Sequence, residues 1–255
     1  MDADPPEPLR IAPDAAVVVV TGAGISAESG IPTFRDPDGI WRKYDLERVA
    51  TPQGFANDPD LVWRFYSERR VQVLQCEPNA AHHALVALER YLASRGRFTL
   101  ITQNVDGLHQ RAGSRAVIPI HGNLLWTRCS NPGCASEPFE DRNAYLDGCP
   151  RCATCGDRLR PDVIWFGEYL DPVLERDARL AIADCDLFVA IGTSGVVYPV
   201  AGYVEIAANL GVPRVLVNLE PPANVGLFTA FYQGRAAEVL PVLLQDALAG
   251  VPRSG

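Results

Sequence analysis

Positive charge is in short supply. The 255-residue chain carries 23 Lys and Arg against 31 Asp and Glu, a formal net charge of -8. Such a surface offers no electrostatic reason to bind nucleic acid or an anionic membrane. Long apolar runs are also missing. None reaches the roughly 18 residues of a membrane span. The longest, "AAVVVV", suits a buried strand. The acidic, Pro-rich start "MDADPPEPLR" has neither the basic nor the apolar stretch of a secretory signal. There is no internal repeat and no low-complexity segment. A soluble, cytoplasmic protein is expected, with no nucleic-acid or membrane partner. Nothing points to a coiled coil or an exposed apolar stripe, so a monomer is expected.

What is present is an ordinary globular balance, 47% hydrophobic and 21% charged. Strand-like segments at 15–20, 97–102, 116–120, 186–191 and 213–218 alternate with helical patterns at 59–75, 79–94, 172–185, 199–210 and 236–249. The strands are continuously apolar, which implies burial on both faces. The expected fold is therefore α/β, a Rossmann-like parallel sheet covered by helices.

Cysteine is not scarce. Five of the seven fall within 27 residues, at 129, 134, 149, 152 and 155. An odd count and tight clustering favour metal over disulfides. Cys129-x4-Cys134 and Cys152-x2-Cys155 read as the two knuckles of a structural zinc site with four thiolates and no open position for water. Cys149-x2-Cys152 competes as the second knuckle. The pair 152/155 is preferred because Gly156 follows it. The segment is too polar to form its own core, so metal would supply the missing stability. Cys76 and Cys185 sit in apolar helical stretches and read as core.

"VVVVTGAGISAESGIPTFRD" (17–36) opens like a dinucleotide site, with a strand running into Gly22 and Gly24. It then departs from the pattern. A second strand ending in an acidic residue should follow within ~30 residues. The chain instead gives a Pro-punctuated, charged loop. Further polar groups stand at strand ends: Gln103, Asn104 and Asp106 in "ITQNVDGLHQRAG", His121 in "VIPIHGNLL", the turn "AIGTSGVVYP", and Asn218 and Glu220 in "VLVNLE". Strand C-termini are where α/β sheets bind ligands. Asp106 also reads as a helix cap. Of the four histidines, His82 and His83 read as structural or exposed and His109 as packed. That leaves His121 as the candidate general base.

Taken in order around a four-cysteine insert, "GAGISAESGIPTFRD", "TQNVDGLH", "IHGNL", "RPDVIWFGE", "GTS" and "VNLE" resemble the sirtuin family of NAD-dependent protein lysine deacylases. The resemblance spans about 17–240. It implies a single catalytic domain, 1–255. The NAD-binding part would be about 12–48, 97–122 and 160–250, the helical pocket segment about 49–95, and the zinc module about 123–160. Gly22, Ala23, Gly24, Ser26, Phe34, Arg35 and Trp41 would then meet the phosphates and nicotinamide ribose. Gln103, Asn104 and Asp106 would line the nicotinamide pocket. Gly192, Thr193, Ser194, Asn218, Glu220 and Ala236 would meet the adenosine side. Catalysis would fall to His121 and Asn104. "VIWFGE" would be a strand pairing with the substrate backbone through Val163, Trp165, Phe166, Gly167 and Glu168. The implied reaction joins an acyl-lysine amide oxygen to the NAD ribose and releases nicotinamide. His121 deprotonates a ribose hydroxyl, which attacks the imidate carbon, and water completes the release of lysine and O-acyl-ADP-ribose.

In "WRFYSERRV", Tyr66 and Arg69 are spaced i, i+3 on one helix face. A phenol beside an Arg fork can receive a carboxylate. The pair resembles the class III sirtuins, which remove succinyl and malonyl groups. Ala50 stands where a small residue would widen the acyl pocket. Arg70 reads as the solvated neighbour. The alternatives are a general deacetylase, a protein ADP-ribosyltransferase and a non-catalytic NAD-sensing module. Intact His121 and Asn104 speak against the last.

Overall fold

The computed structural model describes residues 7–32 and 44–249. Phe34, Arg35 and Trp41 lie outside the described residues. In chain order the elements are β1 (Ala16–Thr21), α1 (Leu46–Val49), α2 (Pro52–Asn57), α3 (Pro59–Gln75), α4 (Ala80–Leu92), β2 (Arg97–Thr102), α5 (Leu108–Ala112), β3 (Val117–Pro119), β4 (Gly122–Cys129), β5 (Phe139–Glu140), β6 (Leu159–Val163), α6 (Pro172–Ala183), β7 (Leu187–Ile191), α7 (Tyr203–Asn209), β8 (Arg214–Asn218), β9 (Ala230–Gln233), α8 (Ala236–Leu243) and α9 (Gln245–Ala249).

Six strands form one sheet in the order β3-β2-β1-β7-β8-β9, and every pairing is parallel. In sheet-strand order this is 3-2-1-4-5-6, the Rossmann arrangement. β1 shows why the strands read as continuously apolar. Val17 to Val20 are each at most 2% exposed. Val17 and Val19 pack with α4 and α8 on one face. Val18 and Val20 pack with α6 and α7 on the other. Each such valine contributes about 1.5–3 kcal/mol relative to exposure.

All five expected strands are present in this sheet, within a residue or so of their expected ends. β9 was not anticipated. The pattern at 236–249 is not one helix: α8 runs through Pro241 to Leu243, Leu244 caps it, and α9 begins at Gln245. The pattern at 199–210 is a short 3-10 turn at Val200–Gly202 followed by α7. Among the described residues no helix is long and apolar enough to cross a membrane.

A second, three-stranded antiparallel sheet, β5-β4-β6, belongs to the cysteine-rich part. Its core is borrowed. Leu124, Leu159, Val163 and Cys152 pack on Val62, Trp63 and Phe65 of α3. Polar bonds stitch the same helix face to this module. Trp63 Nε1 donates to Leu159 O (2.8 Å), Ser67 Oγ accepts from Tyr145 N (2.7 Å), and Asp60 accepts from Cys149 N (2.7 Å).

Arg70 overturns its expected solvated position. Its side chain is fully buried against Asp141, itself 1% exposed. All five N–H groups are used: on Leu124 O, Asp141 Oδ2, Asn143 O, Trp126 O and Thr127 Oγ1. The i, i+3 spacing shows which residues share a face, but not that the face beside Tyr66 and Arg69 meets another sheet.

Candidate active site and metal centre

The sheet changes direction of growth between β1 and β7, and the crevice beyond their carboxyl ends is where such folds bind ligands. Two glycine turns meet there. Gly22 N donates to Ile191 O and Gly24 N to Gly192 O, each at 2.9 Å. A Cβ on Gly24 would stand 2.6 Å from Gly192 Cα, and one on Gly192 2.5 Å from Ile25 N. Only glycine lets the two turns pack this closely, which leaves backbone lining the crevice. Thr193 accepts from Gln103 Nε2 through Oγ1 (3.1 Å) and from Asn218 Nδ2 through its carbonyl (3.0 Å). Residues from the ends of β2, β7 and β8 thereby converge, as the sequence implied. Ser194 follows, partly buried, and Glu220 is exposed. Ala236 is buried at the start of α8, whose next amide, Ala237 N, donates to Glu28 at 2.9 Å.

On the other side of the Gly22 turn, Asn104 Nδ2 donates to Gly22 O and Ser26 Oγ, both at 3.1 Å. Ser26 donates to Asp106 Oδ2 (2.8 Å), and Leu108 N donates to Asp106 Oδ1 (2.9 Å). The expected cap is displaced: Gly107, at φ +71°, is the N-cap of α5 and no side chain caps it, while Asp106 one residue earlier joins a buried Asn–Ser–Asp chain. Burial raises its pKa, opposed by those two donors and by Arg111 and Arg69. The chain holds Asn104 in the crevice beside the glycine turn.

His121 lies in the turn between β3 and β4. Gly122 makes the turn possible: its φ is +84°, and a Cβ would stand 2.2 Å from Asp162 O. The His121 Nδ1 lies 3.1 Å from Gln103 O. A carbonyl there requires a hydrogen on Nδ1, which leaves Nε2 as the basic nitrogen. Burial lowers the pKa of His121, and the Gln103 bond opposes the shift in part. The ring is neutral at pH 7 and able to take a proton.

The other histidines behave as expected. His82 and His109 are buried and His83 is exposed. His109 Nε2 lies 2.9 Å from Thr21 Oγ1, and Thr21 donates to Thr102 Oγ1 at 2.9 Å. Asn104 N donates to that same Thr102 oxygen at 3.1 Å. His109 thus packs beneath the site rather than in it.

Tyr66 and Arg69 of α3 do share a face. Burial lowers the Arg69 pKa, opposed by Tyr66 and by Asp106 of the Asn104 chain. The guanidinium carbon lies 5.4 Å from the Phe65 ring centroid. Tyr66 is 6% exposed and accepts from Trp165 Nε1 at 3.0 Å. Ala50 is buried, and its carbonyl accepts from Phe166 N at 3.0 Å.

The stretch 163–168 is not a strand along its length. β6 ends at Val163. Ile164 N donates to His121 O (2.9 Å), and the chain turns at Phe166 and Gly167. Val163 and Trp165 face inward, and Phe166 is exposed. Glu168 is engaged within the loop itself. It accepts from Arg160 at 2.6 and 2.9 Å and from Trp165 N at 2.8 Å. The reason is local: an Arg fork eight residues upstream closes the turn bidentately.

The cysteines resolve cleanly. The Sγ atoms of Cys129, Cys134, Cys152 and Cys155 lie within 4.8 Å of one another. Cys129–Cys155 is 3.5 Å and Cys134–Cys152 is 3.8 Å. A tetrahedron with Zn–S bonds of about 2.3 Å has edges of roughly 3.8 Å, so the set fits one zinc. Cys149 is not in it. Its thiol faces Pro150 O and Leu159 O, both at 3.6 Å. Gly156, with φ +79° and its amide bonded to Cys152 O, turns the second knuckle. With four protein ligands the centre has no open position and is structural.

Comparison with known proteins agrees with this geometry. Residues 22–199 match the Sir2 family. A protein from Caulobacter vibrioides called NAD-dependent protein deacylase is 49% identical over 91% of this chain and 97% of its own length. One of the same description from Shewanella oneidensis is 47% identical over 92% and 95%. The crystal structure of a Sir2 homologue in complex with NAD superposes with a TM-score of 0.85 at 40% identity, covering 93% of this chain and 91% of that one. With that family match, those near-full-length relatives and the same fold, this chain is a member of the Sir2, or sirtuin, family.

Proposed function

We propose that this protein is an NAD-dependent protein lysine deacylase that prefers acidic acyl groups, succinyl or malonyl, and removes acetyl more weakly. The coarser activity, NAD-dependent protein deacylation, rests on the family and on relatives so described across nearly their whole length. NAD supplies an electrophilic ribose carbon with nicotinamide as leaving group. The chain supplies the rest. The paired glycine turns admit the phosphates to backbone amides. Asn104, held by Gly22 and Ser26, orients groups at the nicotinamide end. His121, neutral and with Nε2 basic, takes the proton of a ribose hydroxyl. One water is consumed in freeing the lysine, and the products are nicotinamide, free lysine and O-acyl-ADP-ribose. Zinc on Cys129, Cys134, Cys152 and Cys155 would tie the module to itself, and its closed ligand set would leave it no part in the chemistry.

The observation that carries the acyl preference is Arg69, drawn down by burial and placed with Tyr66 on the face that looks toward Asp106. A succinyl or malonyl carboxylate can make a charge-assisted contact with this fork and the Tyr66 phenol that acetyl cannot make, which favours the acidic acyl groups by about 1–3 kcal/mol, roughly tenfold to a hundredfold. The test compares one peptide bearing acetyl-, malonyl-, succinyl- or glutaryl-lysine, with and without NAD, on wild type and Arg69→Met. An acidic-acyl preference that collapses in Arg69→Met is expected. If acetyl wins and Arg69→Met changes nothing, the protein is a general deacetylase.

A further inference from the structure

Trp165 is held at every point but one. It is 3% exposed. Its backbone N–H is bound by Glu168 at 2.8 Å. Arg160 grips the same carboxylate bidentately, and its guanidinium carbon lies 3.5 Å from the Trp165 ring centroid. That distance is close for a cation on an indole face. Arg160 also donates to Val163 O at 2.9 Å. The Phe55 ring packs at 5.1 Å from the indole. The ring is therefore fixed in one orientation, and its only polar atom is aimed. An indole has one donor and no acceptor. That donor meets Tyr66 Oη at 3.0 Å.

The bond decides how Tyr66 can act. A phenol hydroxyl donates or accepts. Here its oxygen accepts from Trp165, and its own hydrogen donates to no described residue. Burial pushes the phenol up to about 12, so the hydrogen stays on at neutral pH. With its oxygen taken by Trp165, the hydroxyl has that hydrogen left to offer an incoming acceptor. A buried donor without a partner is unfavourable, and an acyl group that brings an acceptor relieves it. Acetyl brings none beyond its amide oxygen. A carboxylate brings two.

We propose that Trp165 is a specificity-positioning residue. Its indole N–H makes Tyr66 an obligate hydrogen donor to the acyl terminus, and the Arg160–Glu168 pair holds Trp165 in place to do so. The inference rests on the acidic-acyl reading above. It extends that reading from the two groups that would meet the carboxylate to the buried residue behind them.

The test measures kcat/KM on succinyl- and acetyl-lysine forms of one peptide for wild type, Trp165→Phe, Tyr66→Phe and the double variant. Phe keeps a ring against Arg160 and Phe55 and removes the N–H. In Trp165→Phe the succinyl-to-acetyl ratio is expected to fall about tenfold, the scale of one hydrogen bond to a charged group, mainly through KM. In the Tyr66→Phe background the same change should lower the ratio no further. A residue that merely packs would lower both substrates together and leave the ratio where it was. An unchanged ratio, or full additivity in the double variant, overturns the proposal. If Trp165→Phe does not fold, benzothienylalanine at this position replaces the N–H by sulfur in the same bicyclic shape, and the same ratios decide. Arg69→Met separates the two readings. If it leaves the ratio unchanged, the acidic-acyl reading falls and this inference with it. If it collapses the ratio while Trp165→Phe does not, only the role of Trp165 is wrong.

Discussion

Arg70→Met probes the joint between α3 and the zinc module. The native guanidinium is fully buried and donates five bonds to five residues of β4 and the 141–143 segment, among them the charged Asp141. Burial would push the Asp141 carboxyl up. Thr127, Asn143 and Arg70 more than offset that and hold it below the ordinary carboxylate range. It is thus charged at pH 7, and its stabilising contribution is lost only as pH falls through that lowered value. Met fills much of the volume but strands the carboxylate and leaves three carbonyls without their donor. Breaking one side of a buried ion pair costs about 3–5 kcal/mol. For a domain of this length each kcal/mol moves Tm by about 2–4 °C, so a fall of roughly 6–20 °C is expected. Urea and thermal unfolding of the zinc-loaded protein at pH 7.5, followed by circular dichroism, give the value. Adding Asp141→Asn removes the stranded charge and should restore part of the loss, although the carbonyls stay unpaired. A loss below about 1 kcal/mol, or a double variant worse than the sum of its parts, would refute the view that the charge pair locks the joint.

Other consequences can be checked separately. Cys155→Ser should cost the bound zinc, and Cys149→Ala should retain one zinc per chain by elemental analysis, because the Cys149 thiol faces two carbonyls and not the cluster. His121→Ala should abolish turnover while NAD binding by calorimetry persists. In wild type the acid limb of kcat/KM should lie below about 6.5, the ordinary histidine value, because burial lowers His121; a limb above that value contradicts burial as the controlling effect. Burial holds His82 down at about 4 and His109 at about 3. The unfolded chain takes up those protons below about 6.5, so stability from these two groups is full above that pH and declines toward their folded values, by about 1 kcal/mol per pH unit per histidine. The slope of unfolding free energy between pH 6.5 and 4.5 should flatten in His82→Gln/His109→Gln, and an equal slope in the variant would exclude them as its source.

The division between what was readable and what was not follows the range of the forces involved. Continuous apolar strands, helix caps and cysteine spacing are local signals. They were enough for a parallel sheet covered by helices, for the strand ends that carry Asn104, His121 and Thr193, and for a zinc site with its two knuckles. Gly156 favoured Cys155 over Cys149 from the sequence, but both spacings are chemically sound, and it is the fold that turns one thiol toward the cluster and the other toward Leu159. The same holds on α3. Spacing put Tyr66 and Arg69 on one face, but a helix wheel has no sheet beside it. It could not show that Arg70 spends five donors on β4 and its neighbours, nor that Trp165, ninety-nine residues further on, would set the direction of the Tyr66 hydroxyl. A motif specifies which groups are available. Burial and long-range partners decide which of them are charged, which are satisfied, and which are left to meet a ligand.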